Sequence, residues 1–240
     1  MIGLGTIINV GAIIIGGLCG LFMGKAVKVR YQDILMISVG ISIMMLGIGG
    51  TMEEMLSIQN GALTSGGSMM MIITMALGAL IGEWMDIEGK MEHFGIWLKK
   101  KTGSSGDHAF VDAFVTCSLT VCIGAMAIVG SIKDGIYGDY SILAAKAILD
   151  LIIVFVMTVS MGKGCVFSAI PVGIFQGVIT FLARLIEPLM TEGALSNLSL
   201  VGSIMIFCVG LNLVFGKKVK VANFLPAIVL AVAWSFAPWA

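Results

Sequence analysis

The stretch YSILAAKAILDLIIVF, Tyr140–Phe155, is apolar over most of its length but contains one lysine and one aspartate. Carried on to Met161, the run is long enough to cross a bilayer as a helix, which takes roughly 20 residues. A charge at the centre of such a helix costs roughly 2.5–3.5 kcal/mol on insertion scales. Lys146 and Asp150 are four residues apart, about 40° apart around a helix, so they can pair and offset part of that cost. A self-neutralising pair that merely tolerates burial would meet these facts. Two leucines would cost less and pack as well, so the pair is read as retained for use.

The rest of the chain makes the bilayer its solvent. Of 240 residues, 58% are hydrophobic and only 12% charged, and the mean hydropathy is +1.07. No soluble domain hides that much apolar surface. The 32 glycines suit helices that pack closely in lipid. The formal net charge of zero leaves no basic footprint for nucleic acid. Cys19, Cys117, Cys122, Cys165 and Cys208 lie in or beside apolar runs without CxxC or Cys/His spacing. They read as reduced packing residues.

The expected fold is all-α: a single integral membrane domain over 1–240, a polytopic bundle of about eight transmembrane helices. The runs are about 4–24, 34–51, 67–83, 109–131, 141–161, 164–183, 198–215 and 221–237. The first has no basic residue before it and three after it, the reverse of a signal peptide, so it is kept as a mature span. Glu83–Lys101 is too polar to span. Its Ile87, Met91, Phe94, Trp97 and Leu98 recur at helical spacing, which predicts an amphipathic interfacial helix at about 84–101 with Trp84 and Trp97 as anchors. Thr102–Asp107 then reads as a hinge.

Basic residues set the orientation. The odd-numbered connections hold eleven, among them Lys25, Lys28 and Arg30, Lys99–Lys101, and Lys217, Lys218 and Lys220. The even ones hold Lys133 and Arg184 alone. The odd connections are expected in the cytoplasm and both termini outside.

ISIMMLGIG, Ile41–Gly49, is similar to GSIMIFCVG, Gly202–Gly210, and INVG, Ile8–Gly11, to IPVG, Ile170–Gly173. The offsets are nearly equal, so spans one to three (about 1–83) would repeat as spans six to eight (about 164–240). A shift of five helices inverts the second copy, as in many secondary transporters. Either the repeat is real or the small alphabet of membrane helices produced it by chance.

Several polar or broken places stand out. Pro171 has no N–H, so a kink there would leave the Phe167 carbonyl unpaired beside Ser168, with Gln176 near the midplane. Gly124 and Gly130 interrupt span four, and Ser131, Lys133 and Asp134 follow within one turn; these are either exposed loop groups or a segment folded back into an outer vestibule. Asn9 stands among apolar residues of span one. Gly16, Gly20 and Gly24 on the same span form a stripe for close contact with another helix or a second copy, so a homodimer is expected.

Together the residues carry a resemblance to the bacterial YqgA/YdfK-type inner-membrane proteins, a group catalogued under a domain of unknown function. The matching stretches are GTIINVGAIIIGG (Gly5–Gly17), LGALIGEWMDIE (Leu77–Glu88), CIGAMAIVGSIKDG (Cys122–Gly135), KAILD (Lys146–Asp150), FSAIPVGIFQG (Phe167–Gly177) and NFLPAI (Asn223–Ile228). The resemblance covers essentially the whole chain. It implies a multi-span inner-membrane protein grouped with candidate transporters, and no substrate. The family's glycine-serine-aspartate-glycine turn lands on Gly130, Ser131, Asp134 and Gly135, its lysine and aspartate on Lys146 and Asp150, and its Q-G on Gln176 and Gly177.

The expected function is secondary active transport of a small polar or charged solute, with H+ or Na+ as the coupling ion. The substrate- and ion-binding candidates are Asn9, Gly130, Ser131, Asp134, Lys146, Asp150, Phe167, Ser168, Pro171 and Gln176. A channel or passive pore, and a non-transporting scaffold or regulator, are the alternatives. An enzyme is not expected: His93 and His108 lie outside the spans, and no nucleophile–base or metal-ligand set is visible, so no metal or cofactor is expected.

Overall fold

A computed structural model describes residues 2–24, 26–59, 61–104, 106–107 and 109–237. Lys25 and His108, used above, lie outside the described residues. The chain is helical nearly throughout: α1 Leu4–Gly24, α2 Val29–Met55, α3 Ser68–Met85, α4 Ile87–Lys101, α5 Phe110–Cys122, α6 Ala125–Tyr137, α7 Ser141–Met161, α8 Ala169–Phe181, α9 Ala183–Ile186, α10 Glu192–Phe215 and α11 Leu225–Trp234. A hairpin of β1, Leu56–Gln59, and β2, Ala62–Ser65, joins α2 to α3. The Asn60-Gly61 doublet, a hairpin signature, was its signal in the sequence.

Six described helices are long and apolar enough to cross a membrane, and α5 with α6 makes a seventh if that bent pair is one span. The eighth expected span departs from this. Its stretch folds as a 3-10 turn, Val221–Phe224, followed by the ten-residue α11. At 1.5 Å per residue, ten residues reach about 15 Å, half of a hydrocarbon core of about 30 Å.

Span four also differs. The helix stops at Ile123 and Gly124, where Gly124 takes φ +146°, a conformation that side chains disfavour. A second helix leaves at 62° and runs to Tyr137. Gly130–Gly135 is thus not an exposed loop; it is helical, with Gly130, Ser131 and Asp134 buried, in the second arm of a broken span or re-entrant segment. The break falls at Gly124 because Gly130 and Gly135 are occupied in close packing: a Cβ on Gly130 would meet Leu143 at 2.8 Å, and one on Gly135 would strike the Thr180 carbonyl.

The α1 stripe is spent inside the chain. A Cβ on Gly20 would lie 2.6 Å from the Phe155 carbonyl oxygen, Gly16 sits on Leu151, and Gly24 on Val159. The partner residues rise in step, so α1 and α7 run parallel and their backbones touch, as small residues permit in lipid. That surface is therefore not open to a second copy. Glycines join α2 to α10 in the same way, antiparallel: a Cβ on Gly47 would lie 2.7 Å from the Ser203 oxygen, and one on Gly210 2.7 Å from that of Gly40.

At the basic end, α4 is clasped to the turn before α11. Asp86 takes φ 48° and reverses the chain between α3 and α4. Glu88 is buried; its amide donates to Asn223 Oδ1 at 2.8 Å and its carboxylate accepts from the Ala222 amide at 3.2 Å. Lys217 bridges Glu88, at 2.8 Å, and Glu92. Burial works against the Lys217 charge, but the Glu88 and Glu92 carboxylates outweigh it and hold its pKa above the ordinary lysine value. Of the proposed amphipathic face, Leu98 is buried and Phe94 tilts on Phe114, while Trp84 and Trp97 stay exposed.

Candidate functional site

The site begins where α5 breaks. A helix end leaves its last carbonyls without intrahelical donors and carries partial negative charge. The Val121 carbonyl of α5 is one of these, and the Lys146 ammonium donates to it at 2.8 Å. The same Nζ lies 2.7 Å from both Asp150 oxygens. Asn9 on α1 completes the group, its Nδ2 donating to Asp150 Oδ2 at 3.0 Å. Asn9 is fully buried, and Lys146 and Asp150 are 7% and 3% exposed, so the charges have traded water for one another. The close α1–α7 packing delivers Asn9 to Asp150. The two stretches GTIINVGAIIIGG and KAILD are therefore one contact.

Asp134 has another task. Its carboxylate accepts from the amides of Gly3 at 3.2 Å and Gly5 at 3.0 Å, capping α1 across the chain. A buried acid at a helix N-terminus satisfies orphan donors and the helix dipole together. It is a structural cap and does not bond the ion pair.

Pro171 does not kink a running helix. A 3-10 segment, Lys163–Ser168, precedes α8, and Pro171 sits in the first turn of α8, where a missing N–H costs least. The Phe167 carbonyl lies at the junction of the 3-10 segment and α8, where the Ala169 amide points toward it and the Val166 carbonyl. The Phe167 ring packs on Phe110 at 5.4 Å. Ser168 donates to the Cys165 carbonyl at 2.7 Å and accepts from Cys117 at 3.5 Å. Phe167 and Ser168 join the 3-10 segment to α5 and make no bond to the pair.

Gln176 is 1% exposed, and neither amide atom has a hydrogen-bond partner among the described residues. It lies on α8 between Gly173, which faces Val10 of α1, and Thr180, whose carbonyl faces Gly135 of α6. The hydroxyls of Thr6 on α1, Ser131 on α6 and Thr180 on α8 are buried and unpartnered too. The seam of α1, α6 and α8 thus holds several polar groups with hydrogen bonds to give. Gln176 and Ser131 belong to this seam and make no bond to Lys146 or Asp150.

Two features escaped the sequence reading. The Val121 carbonyl is a backbone atom that no residue pattern reveals; Gly124, just beyond it, was the available signal. A cavity of about 320 Å³ opens toward the basic end, lined by Asp33, Asp112, Asn212, Lys217, Leu119 and Met161 among others. Acids in the opening turns of apolar helices, as Asp33 and Asp112 are, were its trace in the sequence.

"Uncharacterized membrane protein YdfK" of Bacillus subtilis (strain 168) is 28% identical over 226 residues, 94% of this chain and 93% of its own. "Uncharacterized protein YqgA" of Escherichia coli (strain K12) is 28% identical over 241 residues, 98% of this chain and 97% of its own. No solved structure matches. The family described as "Protein of unknown function (DUF554)" matches residues 4–236, and this chain, a multi-pass membrane protein, belongs to it.

Proposed function

We propose that the protein is a secondary active transporter of a small polar or charged solute, working in the cytoplasmic membrane with its N-terminus outside; the half-length α11 removes the eighth crossing that would bring the C-terminus to the same side. One observation carries the reading: a helix interrupted amid the bundle presents its carbonyl end to a buried lysine–aspartate pair from another helix. Discontinuous helices whose stub ends face charged groups near the midplane are the binding-site device of many transporters. Non-helical backbone is tolerated at such depth only where protein or a polar cavity satisfies it. In this reading Lys146, Asp150 and Asn9 form the centre. The Gln176–Ser131–Thr6 seam leads to one face of the membrane, and the cavity at Asp33 and Asp112 opens to the other. The packing of Ile41–Gly49 against Gly202–Gly210, antiparallel, supports an inverted pair of repeats.

The test uses full-length protein in proteoliposomes that enclose a pH-sensitive dye, challenged in turn with amino acids, organic acids and amines, with and without a Na+ gradient. Saturable, solute-dependent ion movement is expected from wild type and not from folded Lys146→Met/Asp150→Leu. Steady conductance without solute in planar bilayers would make the protein a pore. Absence of any flux across the panel would favour a scaffold.

A further inference from the structure

Among the described residues, the hydrogen-bond partners of the Lys146 ammonium are all oxygens. Asp150 supplies both carboxylate oxygens at 2.7 Å, and the broken end of α5 supplies the Val121 carbonyl at 2.8 Å. The Asn9 amide is tied to Asp150 through Nδ2, and its buried Oδ1 has no partner among the described residues. A carboxylate and a helix C-terminus, out of water, form a set of hard ligands with net negative charge, and the Asn9 amide holds the carboxylate in place. Carbonyl and carboxylate oxygens of this kind replace the hydration shell of an alkali cation. What this set of oxygens demands is one positive charge of small size. It does not demand that the charge be covalently attached.

We infer that the Val121 carbonyl and the Asp150 carboxylate, held by Asn9, form a monovalent-cation site, and that Lys146 is its tethered occupant. The lysine stem enters from α7 one turn before Asp150, so the chain delivers its own cation and the site needs none from solution. Shortening the side chain removes the charge and opens the space it filled, leaving Asp150 and the α5 carbonyls for a free alkali ion to neutralise. The inference deepens the transporter reading by naming what the central site holds, yet its test needs no transport. If Lys146→Ala binds Na+ in this way while the wild type moves nothing, the inference stands and the transporter reading falls.

The experiment is a thermal-unfolding titration of purified full-length protein in detergent, with choline chloride replaced stepwise by NaCl, KCl or LiCl at constant ionic strength. Lys146→Ala should unfold at low temperature in choline. It should gain stability with the logarithm of alkali-ion concentration above the dissociation constant, as a ligand bound only to the folded state requires. Wild type, already occupied, should give a flat line, as should Lys146→Ala/Asp150→Asn, which lacks the anionic ligand. No alkali-ion response in folded Lys146→Ala, or an equal response in the doubly changed protein, would overturn the inference. If neither Lys146→Ala nor Lys146→Ser can be recovered in high NaCl or KCl while Lys146→Met/Asp150→Leu folds, a free cation cannot stand in for the ammonium, and the inference fails by that route.

Discussion

The ammonium of Lys146 bonds the carbonyl of Val121 at 2.8 Å, so the charged group of one helix caps the open end of another. It ties the break at Gly124 to the ion pair: without the break Val121 would bond within its own helix, and without Lys146 the end would be bare. The pair therefore supports the fold as well as occupying its centre.

Removing one member of the pair leaves the other charged and buried without its counter-charge. In buffer free of alkali ions, Lys146→Met or Asp150→Asn should destabilise the protein by about 3–5 kcal/mol. Lys146→Met/Asp150→Leu should recover much of that loss. Unfolding midpoints of the three variants in mild detergent give the comparison; a double change that is worse than either single would mean that the pair does not act as a unit.

The glycines of α1 make a sharper contrast. Gly20→Ala places a methyl 2.6 Å from the Phe155 carbonyl and should cost about 1–3 kcal/mol through strain. Gly11→Ala meets nothing within 4 Å and should be neutral or stabilise by up to about 1 kcal/mol through helix propensity. Both should leave oligomeric mass unchanged, because the stripe faces α7. Unfolding midpoints and light scattering on the same samples decide it.

Asp134 should behave as a cap. Asp134→Ala removes the acceptor for Gly3 and Gly5 and should cost about 1–2 kcal/mol, with Asp134→Asn in between. The loss should fall first on the start of α1, read as faster amide exchange over the residues that follow Gly5 than at the centre of α7.

The charge bias predicts a labelling pattern. In a cysteine-free background, cysteine at Glu53 or Glu192 should react with an impermeant thiol reagent on intact cells. Cysteine at Lys100 or Lys218 should react only after lysis. All four positions are exposed, so access to the reagent reflects the side of the membrane. Reaction of the Lys218 site on intact cells would reverse the orientation.

The sequence by itself determined that this is a helical membrane protein, because hydrophobic length is a property of the local chain and the bilayer reads it segment by segment. It also singled out Lys146, Asp150, Asn9 and Gln176, because a polar side chain in an apolar run needs a reason to be there. The partners were beyond its reach. That Asn9 meets Asp150, that the α1 glycines pack on α7, and that Asp134 closes the first turn of α1 are contacts between residues more than a hundred positions apart, set by packing and by no local pattern. The same holds for the two corrected breaks. Pro171, Gly124 and Gly130 all marked weak points, but the helix breaks at Gly124, where a Cβ would meet nothing within 4 Å, whereas Gly130 is pressed against Leu143. Whether a glycine bends a helix or lets it pack depends on what lies across from it, and only the tertiary structure decided that.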